Sequence, residues 1–223
     1  MNRNIKRKQP SDVIWAFKKF VDGLPEEDKD KVCLIMHTAP KDPNGTDLFK
    51  VAEKIAPDCD IKFSTERISQ KELNDIYNIA DCTINIAGNE GFGLVTAESV
   101  MAGTPIIVNV TGGMQDQCGF KNKKGEYLTA EEYVELGSNH RGTYKDHGEW
   151  VVPVFPRSIS LQGSPQTPYI FDDRCQYEDV GDALWSWYSR GPEERERCGE
   201  IGRQWAFSDD ARMTGKHLSE SFI

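Results

Sequence analysis

Ile84-Asn85-Ile86-Ala87-Gly88-Asn89-Glu90-Gly91-Phe92-Gly93-Leu94-Val95-Thr96-Ala97-Glu98 is the stretch that decides the fold. Its first residues read as the end of a buried strand, and its last as the opening of a helix. The glycines between them let the backbone turn tightly and leave amide donors exposed. Free N–H groups and the helix dipole make such a helix mouth attractive to phosphate. Glu90 stands just before the helix, and Glu98 about two turns into it on the same face. One carboxylate reaches a ligand at the mouth, the other a polar group deeper along that face. Acids beside a phosphate site make sense for a sugar nucleotide, whose hydroxyls want acceptors while its diphosphate wants donors. A dinucleotide-binding turn is disfavoured, because Gly88-x-x-Gly91-x-Gly93 reverses the Gly-x-Gly-x-x-Gly order.

Working outward, hydrophobic periodicity alternates helix and strand. Ser11 or Asp12 caps a helix with Val13, Ile14, Phe17, Phe20 and Val21 on one face, ending at Gly23. Val32–Met36 reads as a buried strand, Asp47–Ile55 as a helix stopped by Pro57, and Ile61–Phe63 as a minor strand. Ser69 and Glu72 form a capping box for a helix reaching Ile79. Cys82–Ala87 is a strand, Gly91–Met101 a helix and Pro105–Val110 a strand. This order predicts an α/β fold with a doubly wound, Rossmann-like parallel sheet that binds ligands at the carboxyl ends of its strands. Residues 118–175 break the rhythm and read as an irregular insertion with a hairpin around Trp150–Phe155. Residues 176–223 read as C-terminal helices over Tyr177–Tyr188, Pro192–Trp205 and Asp209–Ser221. The whole chain, 1–223, is expected to be a single domain.

Composition narrows the partners. The 223 residues are 38% hydrophobic and 28% charged, with a formal net charge of −9. That acidity argues against nonspecific nucleic-acid binding, and the apolar runs are too short for a transmembrane segment. The six cysteines contain no Cys-x-x-Cys pair, so a zinc ribbon is excluded by spacing and free thiols in a reducing, cytoplasmic setting are expected.

The flanks of Glu90–Glu98 carry a family resemblance. Ile76-Tyr77-Asn78-x-Ala80-Asp81 precedes it, Glu90-Gly-Phe-Gly-Leu94 lies within it, and Ala102-Gly-Thr-Pro105 and Thr111-Gly-Gly113 follow. Together with Asn2-Arg3-Asn4 and Lys8, these resemble the Glu-x7-Glu motif and its neighbours in retaining glycosyltransferases of the GT-B fold, the family of sucrose synthases and bacterial mannosyltransferases. The resemblance implies a C-terminal donor-binding domain that transfers a sugar from a nucleoside-diphosphate sugar to an unknown acceptor with retention. It implies that Arg3 and Lys8 hold the diphosphate, that Glu90 orients donor-sugar hydroxyls and that Glu98 bonds the ribose. Gly91, Phe92, Gly93, Leu94 and Val95 would line the donor, with backbone amides meeting its oxygens, and Ile68 would rest against the base. No cofactor and no metal are implied, because the cations and the helix mouth support the leaving diphosphate.

In that family Asn-Arg-Asn follows the domain's first strand, whereas here only Met1 precedes it. The expectation is therefore a fragment or split gene product, lacking a central strand and the acceptor-binding N-terminal GT-B domain, which would be supplied in cis or in trans. An alternative is a non-catalytic nucleotide-sugar-binding subunit that needs a partner chain, and a third is a sugar-nucleotide epimerase of the same fold. Blander readings cover the remaining candidates. His140, Asp146, His147 and Glu149 read as a solvated loop rather than a metal site, His37 as structural or solvent-facing, and Trp185, Trp187 and Tyr188 as a buried helix face. Thr111-Gly-Gly113 reads equally as a turn leaving a strand.

Overall fold

The structure, a computed structural model, describes residues 1–137 and 139–220. Helix α1 (Pro10–Asp22) starts one residue before the expected caps. Pro10, with φ preset for a first helical turn, follows Gln9 in a left-handed conformation (φ 52°), so neither Ser11 nor Asp12 caps it. A short helix α2 (Glu26–Lys29) leads to strand β1 (Leu34–His37). Helix α3 (Leu48–Ile55) is capped by the Asp47 carboxylate accepting from the Lys50 amide and leads to strand β2 (Ile61–Ser64), parallel to β1. Helix α4 (Gln70–Ile79) begins with both halves of the Ser69–Glu72 capping box, a feature worth about 1 kcal/mol.

Strand β3 (Thr83–Asn85), helix α5 (Leu94–Ala102) and strand β4 (Ile106–Asn109) form the unit that the opening stretch predicts. The helix starts at Leu94 rather than Gly91, because Gly93 (φ +88°) is its N-terminal cap. A 3-10 helix (Gly112–Cys118) and helix α6 (Ala130–Leu136) follow, the latter opened by a Thr129–Glu132 capping box. Strand β5 (Val151–Val154) pairs parallel with β4, which corrects the hairpin reading of Trp150–Phe155. The antiparallel ribbon is instead β6 (Ser158–Ser164) with β7 (Thr167–Arg174). Residues 118–175 thus contribute a sheet strand as well as an excursion. The sequence missed β5 because Pro153 interrupts a short apolar run; Pro is tolerated at a sheet edge, where its missing N–H costs no ladder bond.

Helix α7 (Tyr177–Ala206) bends at the non-helical Gly191, just before Pro192, so both expected helices are present end to end. The last described helix, α8 (Gly215–Glu220), is shorter than Asp209–Ser221, and Ser221 lies outside the described residues.

Strand β4 is buried throughout. Ile107 faces a core built from Phe17, Phe20, Leu184 and Trp187. Ile106 and Val108 face a second core with Val100, Met114, Trp150 and Trp205. Burial on both faces is what a doubly wound parallel sheet requires. Trp187 belongs to the core as expected, whereas Trp185 is 41% exposed. The parallel strands form two separate ladders, β1–β2 and β3–β4–β5. Strands β1 and β3 are therefore both edges, and both line one cavity of 380 Å³ with Met1, Val13 and Phe17. No helix among the described residues is long and apolar enough to cross a membrane.

Candidate functional site

The carboxyl end of β3 runs into Gly88-Asn89-Glu90 and the mouth of α5. Asn85, buried, donates from Nδ2 to Thr96 Oγ1 at 3.0 Å, which fixes strand to helix. The amides of Thr96 and Ala97 both bond Gly93 O, so the first turn of α5 is closed from the glycine cap. Thr83 and Ser99 share a hydroxyl contact of 2.6 Å, and Ser99 Oγ bonds Thr104 O at 2.9 Å. These buried bonds hold the far end of the helix against the Gly103-Thr104-Pro105 turn.

Glu90 gathers cations. Lys8 Nζ pairs with Glu90 Oε1, and Arg7 Nη1 lies 3.1 Å from Glu90 Oε2. Arg7 also donates to Asn89 O. Both Lys8 and Glu90 are largely buried, a setting in which an ion pair is screened much less than at the surface. Glu98, inside α5, accepts from Tyr77 Oη at 2.8 Å, whereas Glu90 lies in the loop before the helix rather than on one of its faces. Burial and this carboxylate push the Tyr77 phenol well above its ordinary range. Burial, then Lys8, pushes the Met1 amino group down to about 6, with Glu98 pulling the other way.

The loop Gly91-Phe92-Gly93 is clamped from the far side. Gly113 N–H donates to Glu90 O at 2.9 Å, and a Cβ at Gly113 would sit 2.1 Å from Gly91 O. Gln117 Nε2 donates to Phe92 O. Thr111-Gly-Gly113 is thus more than a turn: it is the support of the Glu90–Phe92 loop, a role the sequence reading did not include. Gly93 is buried, Val95 half-buried, and Gly91, Phe92 and Leu94 are exposed at the mouth.

The candidate residues are not all gathered. Arg3 extends away into an exposed pair with Asp42 at 2.8 Å, and Ile68, half-buried, sits in the loop before α4 with no polar contact to the others. Arg7, which the sequence reading did not single out, is the cation that joins Lys8 at Glu90. Four basic residues within Arg3–Lys8 were the only signal, and spacing alone does not tell which ones turn inward.

The ribbon also reaches this site. Asp173 N–H donates to Gly88 O at 2.8 Å, and Asn109 Nδ2 bridges Ala87 O and Asp173 O at 3.0 Å each. The Asp173 carboxylate, 2% exposed, accepts from Thr111 Oγ1 at 2.7 Å and Asn139 Nδ2 at 2.9 Å. His140, expected in a solvated loop, is instead buried against Phe120, Tyr144 and Phe155, and that burial pushes its imidazole down to about 4. Glu149 lies near Glu194 and Cys198, but both carboxylates pair with Arg197. His37 bonds Ser64 at 2.9 Å beside the 380 Å³ cavity.

Parallel strands joined by crossover helices, followed by C-terminal helices, give this chain an α/β fold of the GT-B type. Residues 1–132 match the family described as glycosyl transferases group 1, and the chain belongs to that family. It is 31% identical over 109 residues to a trehalose synthase of Pyrococcus horikoshii, covering 48% of this chain and 26% of that protein. It is 33% identical over 113 residues to a D-inositol 3-phosphate glycosyltransferase of Corynebacterium glutamicum, covering 49% and 27%. The matches thus span about a quarter of the length of these curated relatives. The fold is also that of a UDP-forming α,α-trehalose-phosphate synthase from Burkholderia vietnamiensis. The TM-score is 0.61 at 12% identity, over 99% of this chain and 42% of that one.

Proposed function

We propose that this chain is the donor-binding part of a glycosyltransferase that moves a hexosyl group from a nucleoside-diphosphate sugar to an acceptor with retention. The observation that supports the reading is the pairing of Lys8 and Arg7 with Glu90 in the loop that leads into α5, the helix that carries Glu98. The diphosphate accepts from Lys8, from the Leu94 and Val95 amides and from Arg3. Arg3 here pairs with Asp42 through both Nε and Nη2, so its part in holding the diphosphate requires the guanidinium to leave that carboxylate. Glu98 accepts from the ribose hydroxyls, Glu90 from hydroxyls of the donor sugar, and Phe92 and Ile68 lie toward the sugar and base.

As the glycosidic bond breaks, negative charge collects on the leaving diphosphate. Lys8, Arg7 and the helix mouth stabilise it without a metal ion. Charge moving onto the phosphate also loosens the Lys8–Glu90 pair, which frees Glu90 for the sugar. No general base is assigned; the departing phosphate takes the acceptor proton.

The test is calorimetry on the 223-residue chain with UDP, GDP and ADP against their nucleosides, in the presence of a chelator. At least one diphosphate should bind far more tightly than its nucleoside. Equal affinities within every pair would remove the diphosphate role.

A second reading, a nucleotide-sugar-binding subunit inactive without a partner, is favoured by the divided sheet. Strands β1 and β3 present two unpaired edges to one cavity, and unpaired interior N–H and C=O groups are costly. An added extended segment would join both ladders. A cooperative, high-temperature unfolding transition together with transfer by the isolated chain would rule this reading out.

A further inference from the structure

The β6–β7 ribbon is a sheet of its own, exposed along most of its length and docked at its base. Side chains alternate along a strand, so Tyr169, Phe171 and Asp173 take one face of β7. Tyr169 and Phe171 stay exposed, whereas Asp173 is buried beside the donor loop. An acid inside and aromatic residues outside is the reverse of what hydrophobic burial selects. A carboxylate is held in such a place by its hydrogen bonds, so the partners of Asp173 state its purpose.

Those partners close a ring through Glu90. Asp173 N–H donates to Gly88 O at 2.8 Å, and Gly88 stands two residues before Glu90. Asp173 Oδ2 accepts from Thr111 Oγ1 at 2.7 Å, and Thr111 stands two residues before Gly113. Gly113 N–H donates to Glu90 O at 2.9 Å, which completes the circuit. Glycines occur where the segments of the ring meet: a Cβ at Gly88 would lie 3.1 Å from Asp173 O, and one at Gly112 2.3 Å from Glu90 O. Asp173 is itself anchored from other elements. Asn139 Nδ2 donates to Oδ2 at 2.9 Å, and Asn109 Nδ2 and Gln9 Nε2 donate to Asp173 O at 3.0 and 3.4 Å. Arg141 Nη2 stands 3.8 Å from Oδ1, beyond hydrogen-bond reach. Lys8 and Arg7 thus hold the Glu90 side chain, and the ring holds its backbone.

We propose that Asp173 is a positioning residue for sugar transfer: through Gly88 and Thr111 it braces the backbone of Glu90, so that the Glu90 carboxylate meets the hydroxyls of the donor sugar. The meeting of Glu90 with the sugar rests on the transferase reading above; the brace rests on the ring alone. Asp173→Asn keeps one oxygen that can accept from both Thr111 and Asn139. Asp173→Ala leaves Thr111 Oγ1, which is buried, without that acceptor and opens the ring. Thr111→Val opens it at the same bond from the other side.

The test titrates the intact chain with UDP, GDP and ADP and with the glucose conjugate of each. In wild type at least one conjugate should bind about tenfold more tightly than its nucleotide. Asp173→Ala should erase most of that gain while nucleotide affinity stays within about twofold, and Asp173→Asn should keep the gain. Glu90→Gln combined with Asp173→Ala should lose no more than Glu90→Gln alone, because a residue that acts through Glu90 then has nothing left to position; additive losses overturn the proposal. Amide hydrogen exchange at Gly113 reads the brace without a ligand. Asp173→Ala and Thr111→Val should each speed it about tenfold, with the α4 amides at their wild-type rates. Wild-type exchange in both variants, or Asp173→Asn as impaired as Asp173→Ala, overturns the brace. If Asp173→Ala does not fold, Thr111→Val carries both measurements. If wild type gains nothing from the glucose, the donor reading fails, and the brace stands or falls on Gly113 exchange.

Discussion

Gly113→Ala is the substitution that most directly separates the support of the donor loop from its chemistry. An added Cβ would lie 2.1 Å from Gly91 O, 2.9 Å from the Gly91 carbonyl carbon and 2.9 Å from Phe92 Cα, all backbone atoms. None of these is the flexible tip of a side chain, so the Gly91–Phe92 loop must retreat by about 1 Å to restore ordinary contact distances. That retreat breaks the Gly113 N–H to Glu90 O bond of 2.9 Å and moves Glu90 relative to Lys8 and Arg7. One buried backbone bond is worth about 1 kcal/mol and overpacking about 1–3 kcal/mol, so the expected loss of stability is about 2–4 kcal/mol. Chemical denaturation of wild type and variant measures it. Affinity for the tightest of UDP, GDP and ADP should fall about tenfold in calorimetry, since a misplacement of this size costs binding geometry. Gly125→Ala is the control: it also has positive φ (+82°), but nothing lies within 4 Å of its Cβ. It should lose about 1 kcal/mol of stability and no nucleotide affinity. If Gly113→Ala kept wild-type stability and affinity, the clamp argument would be wrong.

The two glutamates should separate by assay. Glu98→Gln weakens nucleoside-diphosphate binding by about 1–2 kcal/mol, the scale of hydrogen bonds to a charged acceptor, whereas Glu90→Gln leaves it nearly intact and impairs transfer in a complete enzyme; the reverse pattern in calorimetry would exchange their roles. Tyr77→Phe removes the donor to Glu98 Oε2 and should cost about 1–2 kcal/mol in urea denaturation, with an unchanged midpoint counting against that bond. His140 takes up a proton near 6.5 when unfolded and near 4 when folded. The unfolded chain then binds more protons between these values, so stability is full above pH 6.5 and falls as pH drops toward 4. The difference is at most about 3 kcal/mol, and His140→Phe should flatten that part of the pH profile relative to wild type.

Much of the fold was legible from local rules. The Ser69–Glu72 box, the Gly23 stop and the Pro57 stop each act within a few residues, so sequence spacing determines them. Likewise the alternation of short apolar runs with helical periods specifies a parallel sheet, because parallel strands need crossover helices. The family motif from Tyr77 to Gly113 is also linear, and with it came Glu90 and Glu98; Lys8 came from the segment that begins Asn2-Arg3-Asn4. The Thr129–Glu132 box was equally readable but stood in a stretch with no sustained period around it.

Contacts distant in the chain were decided only in three dimensions. Strand β5 joins the sheet because β4 needs a partner on its second edge, a pairing across about forty residues that no local pattern in Trp150–Phe155 encodes. His140 is buried because Phe120, Tyr144 and Phe155 converge on it, although its own neighbours in sequence are polar. Arg7 rather than Arg3 turns toward Glu90, a choice made by the 3-10 turn Lys6–Lys8 and the left-handed Gln9 that follows it. Spacing in the sequence states which side chains lie on one face of one element. Which faces meet is a property of packing, and packing alone brought the β6–β7 ribbon, Gln9 and the donor loop together.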